Sequence, residues 1–256
     1  MSRRCASAAG RGSLWPLRES EELTTGTAAS AAVPHDTPRR AAAFFDVDGT
    51  LLKVQSGVLY ISYLRRHRLM SFQDQARIYW GYLTYRLGML NMRKLVDVTS
   101  RWLRDRDESE VIEHCRDWYE RDVRRHIRPE LVALVQDHLS RGHVVALLTG
   151  GTRYLNDHLA AEIGVEHILA SRLEVVGGRF TGAPVVPLCY GAGKIEYARQ
   201  FADEHAVSLA DSYFYTDSIT DLPMLEIVGH PRIVDPDPRL RREAAHRGWQ
   251  SVEVAS

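Results

Sequence analysis

Asp46 and Asp48 stand two residues apart at the end of an apolar run, AAAFFDVDGTLL (41–52). Where a strand ends and the chain turns, side chains at i and i+2 can both reach one crevice, and two carboxylates so placed need a cation or a shared proton between them. A second acidic fragment, YTDSITDLPML, puts Asp217 at another expected strand end and Asp221 four residues later at a helix start. Three or four acidic oxygens converging there, with no histidine or cysteine at ligand spacing, favour a hard cation such as magnesium over zinc. In a third fragment, Thr149-Gly150-Gly151-Thr152, a strand passes into a helix. Glycines and a helix N-terminus make it a candidate cradle for an oxyanion. Lys194, in GAGKIEYARQ, falls in the first turn of a helix, where its charge opposes the helix dipole and implies a nearby anion. Each fragment also has an ordinary reading as a helix cap, a strand-end turn or a surface lysine.

The elements that must position these residues are legible as strands and helices in alternation. Residues 41–47, 142–151, 211–218 and 230–235 read as strands buried on both faces, each ending in polar residues or glycine. Between them Leu155, Leu159 and Ile163, then Ile195, Ala198, Phe201 and Ala202, form helical stripes. The pattern predicts an α/β fold with a doubly wound, Rossmann-like parallel sheet, whose ligands bind beyond the carboxyl ends of the strands. Residues 56–128 interrupt it with helical spacing alone (Ala76, Tyr79, Leu83, Leu87, Leu90, then Val111, Ile112, Cys115, Trp118), which predicts an inserted helical cap between core segments 41–55 and 129–256. The rings of RIYWGYLTYR are expected to face the core of this insertion. RLEVVGGRFTGAPVV (172–186) predicts a hairpin turning at Gly177-Gly178.

Composition sets outer bounds. Lysine plus arginine and aspartate plus glutamate number 33 each, so no global field draws the protein to nucleic acid or an anionic membrane. Cys5, Cys115 and Cys189 are widely separated and predict neither a disulfide framework nor a zinc site. No apolar run has membrane-span length, and the expected compartment is the cytoplasm. Residues 1–40, rich in Ala, Ser, Gly, Thr and Arg, read as a disordered tail. His67, His114, His126 and His138 lack partners at ligand spacing and read as surface or core histidines.

The order and context of the four fragments resemble the haloacid dehalogenase (HAD) superfamily from residue 41 onward, on the strength of D-x-D-G-T-L at 46–51 and the D-S-x-x-D-x-P-M-L fragment at 217–225. The nearest branch is the phosphoserine phosphatase-like one, with a helical cap after the first motif. The resemblance implies a HAD-like fold and a magnesium-dependent phosphatase acting on a small phosphorylated metabolite. Asp46 would be the nucleophile that becomes an aspartyl-phosphate, and Asp48 the acid and base. Magnesium would be held by Asp46, Asp217 and the backbone carbonyl of Asp48, with Asp221 in support. Thr149, Gly150 and Lys194 would hold the phosphoryl oxygens. Gln55, nine residues after Asp46, stands where that branch carries a glutamate for the substrate's amino group, and an amide pairs poorly with an ammonium. The alternatives are a non-hydrolytic phosphotransferase, or a receiver-like module that binds magnesium and accepts phosphate. Asp48 speaks against the first, because phosphorylated pumps of the superfamily typically carry threonine there, and the large helical insertion together with Asp48 speaks against the second.

Overall fold

The structure, a computed structural model, describes residues 39–86 and 92–254. Its strands are β1 Arg40–Phe45, β2 Val144–Thr152, β3 His167–Val176, β4 Arg179–Val185, β5 Val207–Thr216, β6 His230–Val234 and β7 Gln250–Val252. They form one sheet in the order β4-β3-β2-β1-β5-β6-β7, parallel throughout except for the β3–β4 hairpin. β1 occupies the centre. Ala43, Phe45 and Val47 join the core on one face of the sheet, and Ala42 and Phe44 the core on the other. Burial on both faces is why this segment is continuously apolar rather than alternating. The chain leaves β1 for β2 on one side and returns as β5 on the other, so a crevice opens at the carboxyl ends of these three strands.

The helices are α1 Ser56–Arg66, α2 Phe72–Arg86, α3 Met92–Arg101, α4 Glu108–Trp118, α5 Pro129–Ser140, α6 Arg153–Ile163, α7 Gly193–Glu204, α8 Leu222–Leu225 and α9 Pro238–Arg247. α1 to α4, followed by a π-helical turn at Tyr119–Val123 and a 3₁₀ turn at Arg124–His126, make up the helical segment between β1 and α5. The hairpin fastens this segment to the sheet. Asp105 N–H donates to the Phe180 carbonyl at 2.8 Å, Phe180 N–H to Arg106 at 3.1 Å and Glu108 N–H to Gly178 at 2.9 Å. Ser100 Oγ donates to the Gly182 carbonyl at 3.1 Å.

Two expectations are corrected, and one strand is added. Tyr79, Trp80 and Leu83 of α2 do not face the core: they are 65%, 66% and 45% exposed, and the inward face carries Ile78 and Gly81 instead. α2 has apolar residues around most of its circumference, and glycine at 81 admits Leu95 and Val98 of α3 into close contact, which selects the other stripe. The hairpin's first strand begins at His167, five residues earlier than expected, and its first half pairs in parallel with β2. β7, a three-residue edge strand after α9, has too few residues to show a period. Leu87, Leu90 and nearly all of the N-terminal stretch read as a tail lie outside the described residues.

One buried histidine gives the fold a pH dependence. His138 of α5 is 1% exposed, with Nε2 2.9 Å from the Tyr215 hydroxyl and Nδ1 2.8 Å from His143 Nδ1. Burial, then the nearby His143 and Arg141, holds its pKa down at about 4, so between there and 6.5 the unfolded chain binds the extra proton. Its contribution to stability is complete above pH 6.5 and is lost as pH falls towards 4. The wild type should lose up to about 2 kcal/mol from this group between pH 7 and pH 5. In His138→Gln that pH slope should flatten, as read from urea unfolding at the two values.

Candidate active site

The segment after β1 is held by its own backbone. Asp46 N–H donates to the Tyr215 carbonyl of β5 at 2.9 Å, and Leu52 N–H returns to the Val47 carbonyl at 2.9 Å. This fold turns Asp46 and Asp48 into the crevice. Gly49 makes the turn possible with φ +80°. A Cβ there would lie 2.2 Å from Asp217 Oδ2, so the missing side chain is what lets the loop after β1 approach the end of β5. Asp48 Oδ1 accepts the Ser56 N–H at 2.7 Å, at the N-terminus of α1, a favourable place for a carboxylate.

Lys194 lies on the floor of the crevice. It is 2% exposed, with Nζ donating to Asp46 Oδ1 and to Asp221 Oδ2, each at 2.7 Å. Gly193 allows this, since a Cβ there would stand 2.1 Å from the Leu188 carbonyl oxygen. Asp221 also accepts from Thr216 Oγ1 at 2.7 Å. Thr149, at the end of β2 and 1% exposed, accepts the Gly151 N–H at 3.1 Å on its hydroxyl, which leaves its own proton to donate. Asp46, Asp48, Thr149, Gly150, Lys194, Asp217 and Asp221 all line a single cavity of about 450 Å³, roofed by the helical segment.

The electrostatics are those of an anion surplus. Burial outweighs the attraction of Lys194 and pushes Asp46 up to about 7. Burial, then repulsion from Asp46 and Asp221, pushes Asp217 up to about 8. Burial also raises Asp48, against the hydrogen bonds from Ser56. Burial works against the charge of Lys194, yet attraction to Asp221 and Asp46 outweighs it and holds the ammonium firmly protonated. One ammonium facing four carboxylates leaves room for a further cation, so the donor set fits a hard divalent ion. The four carboxylates share the cavity, although among the described residues no three His, Cys, Asp or Glu side chains are drawn together as a ready-made metal cluster. Asp221 instead faces Lys194 and Thr216, because salt-bridging the buried ammonium satisfies both charges at once.

Four contributors went unread in the sequence. Thr50, buried beside Asp217, donates from Oγ1 to its Oδ1 at 3.4 Å. Ser56 and Thr216 hold Asp48 and Asp221. Asp237 caps α9 through the N–H groups of Arg239 and Leu240, and also accepts the Ile219 N–H at 2.7 Å, bracing the loop after Asp217. A hydroxyl adjoining a strand-end aspartate was the available signal for Thr216. Contacts across 18 residues, as for Asp237, leave none. The described cysteines, Cys115 and Cys189, are free and buried, and burial lifts both thiols to about 12.

The chain is similar in sequence and in fold to known proteins. A phosphoserine phosphatase of Mycobacterium tuberculosis is 30% identical over 216 residues, covering 82% of this chain and 70% of its own. A histidinol-phosphatase of Neisseria meningitidis is 28% identical, over 81% of this chain and 96% of its own. A crystal structure of a Bordetella pertussis protein of unknown function superposes with a TM-score of 0.78 at 29% identity, over 84% of this chain and 99% of that one. Residues 43–226 match haloacid dehalogenase-like hydrolases, and since that span runs from β1 past Asp221 and takes in every residue of the crevice floor, the chain belongs to the haloacid dehalogenase-like hydrolase family.

Proposed function

We propose that this phosphatase hydrolyses a small phosphomonoester with magnesium as its ion, through an aspartyl-phosphate on Asp46. The observation that carries this reading is Asp46 held at 2.7 Å by a buried lysine on the floor of a cavity whose carboxylates outnumber its cations. Asp46 attacks phosphorus, the bond to the alcohol oxygen breaks, and Asp48 gives that oxygen its proton. Asp48, now ionised, takes a proton from the water that attacks the phosphoenzyme, and phosphate leaves as Asp46 is restored. Its raised pKa suits a group that begins the cycle protonated. Lys194, the Thr149 hydroxyl and the backbone at Gly150 are assigned to the equatorial phosphoryl oxygens. Phosphatases of this family use a divalent metal. Asp46, Asp217 and the Asp48 carbonyl would hold it, Asp221 supports it by fixing Lys194, and when bound it offsets charge on the phosphoryl group. Two protein carboxylates suit magnesium, which keeps several waters.

The two relatives are named for different substrates, phosphoserine and histidinol phosphate, at nearly equal identity, so only the class carries over. Gln55 lines the cavity and offers an ammonium no charge, which disfavours phosphoserine. In the helical segment, residues 56–128 act as the cap over core segments 41–55 and 129–256. Hydrolysis of p-nitrophenyl phosphate tests the reading: turnover should require magnesium and stop with a chelator. Folded protein without turnover would favour the receiver-like module.

Two variants separate the roles. Asp48→Asn should slow turnover by about 10²- to 10⁴-fold and accumulate phosphoenzyme with phenyl phosphates, whose leaving group needs little protonation; acid-quenched ³²P labelling reads this, and wild-type hydrolysis would contradict it. Gly49→Ala introduces a strain of about 1–2 kcal/mol at positive φ and drives Asp217 aside. Its half-saturating magnesium concentration should rise about 10- to 100-fold, as measured by activity titration.

A further inference from the structure

The walls of the cavity narrow the substrate further, given the phosphatase reading on which this inference rests. Among the described lining residues contributed by the helical segment, from Ser56 to Trp118, none is charged. Tyr60, Leu64, Met70, Leu95, Trp102 and Trp118 dominate that wall. Outside the floor, the one charged residue among the described lining residues is Arg172, which is exposed. An ammonium carried into such a wall gives up its hydration and meets no carboxylate. Hydrocarbon placed there is favoured by about 25 cal/mol for each Å² removed from water.

Aromatic rings could hold a quaternary ammonium against their faces, but these rings close on one another. Tyr60 and Trp118 have centroids 4.8 Å apart, and Tyr60 meets Trp102 edge-on at 6.5 Å. The Arg106 guanidinium already lies 4.2 Å from the centre of the Trp102 ring, so a second cation there would face a like charge. Trp118 is 3% exposed, and its indole nitrogen, like that of Trp102, is itself buried, so neither ring presents a polar atom to the cavity.

We propose that the ester hydrolysed here carries an uncharged, largely hydrophobic alcohol, alkyl or aryl, and is not the ester of an amino acid or amino alcohol. The test is kcat/KM of the magnesium-loaded full chain on alkyl esters of comparable leaving group: hexyl and 2-phenoxyethyl phosphate against phosphoethanolamine, phosphocholine, phosphoserine and histidinol phosphate. The two hydrophobic esters should lead by at least about 100-fold, the burial of a few methylenes. An ammonium-bearing ester within tenfold of them overturns the inference and leaves the phosphatase reading standing. No turnover of any ester, p-nitrophenyl phosphate included, overturns both. Faster hydrolysis of hexadecyl phosphate from phosphatidylcholine vesicles than of hexyl phosphate in solution would support the class with a bilayer source, and the reverse order would support it with a soluble one.

Discussion

Asp46→Asn is expected to abolish turnover, by about 10⁴-fold or more, while leaving the protein folded. An amide oxygen does not attack phosphorus to give a stable acyl-phosphate, so the loss falls on the chemical step and on labelling by substrate alike. The effect on stability should have the opposite sign. Burial has pushed the Asp46 pKa up to about 7, above that of the unfolded chain, so folding with this group ionised becomes less favourable as pH rises through that value. Asparagine removes the titration and one of the carboxylates crowding Asp217, while Lys194 keeps its bond to Asp221 at 2.7 Å. At pH 8, without divalent metal, the variant should therefore melt no lower than the wild type. An inactive variant that also melts several degrees lower would mean that Asp46 is structural, and residual turnover within tenfold would remove it as nucleophile. Strain held at a site for the sake of its chemistry predicts this pairing of lost activity and retained stability.

How much of this was readable in the sequence depended on range. The strand ending at Asp46 announced itself because burial on both faces forces an unbroken apolar run, and its place at the centre of the sheet is the structural counterpart. Asp46, Asp48, Lys194, Thr149, Gly150, Asp217 and Asp221 could be picked out because each adjoins a strand end or helix start, and the structure brings all of them to one cavity. What could not be read was pairing. Nothing local says that Asp221 turns to Lys194, or that the β3–β4 hairpin grips the loop between α3 and α4. The face of α2 was misjudged for a related reason: a helix apolar on several sides has no unique stripe, and Gly81 against Leu95 and Val98 decided it by shape rather than by hydrophobicity.

Lys194→Met is the harsher test, because it strikes the fold and the chemistry together. Methionine matches the volume and keeps the contact with Phe214, whose ring lies 5.3 Å from Nζ, but supplies no charge. Asp46 and Asp221, 7% and 2% exposed, would then face each other without a counter-ion, and stranding one partner of a buried ion pair costs about 3–5 kcal/mol. Thr216 Oγ1 still donates to Asp221 and softens the loss. The sign of the pH effect follows: Lys194 holds the Asp46 pKa down, so with the lysine gone Asp46 titrates higher, and the deficit grows as pH rises and shrinks as it takes up a proton. Turnover should fall by about 10²- to 10³-fold or more, the cost of deleting a preorganised charge beside the phosphoryl group. The double variant Lys194→Met, Asp221→Leu separates the two effects, since it removes the stranded carboxylate without returning the charge. It should regain much of the melting temperature and none of the activity. If the single variant melts like the wild type at pH 8, the buried Asp46–Lys194–Asp221 triad does not exist in solution. If the double variant regains turnover, Lys194 has no part in phosphoryl transfer.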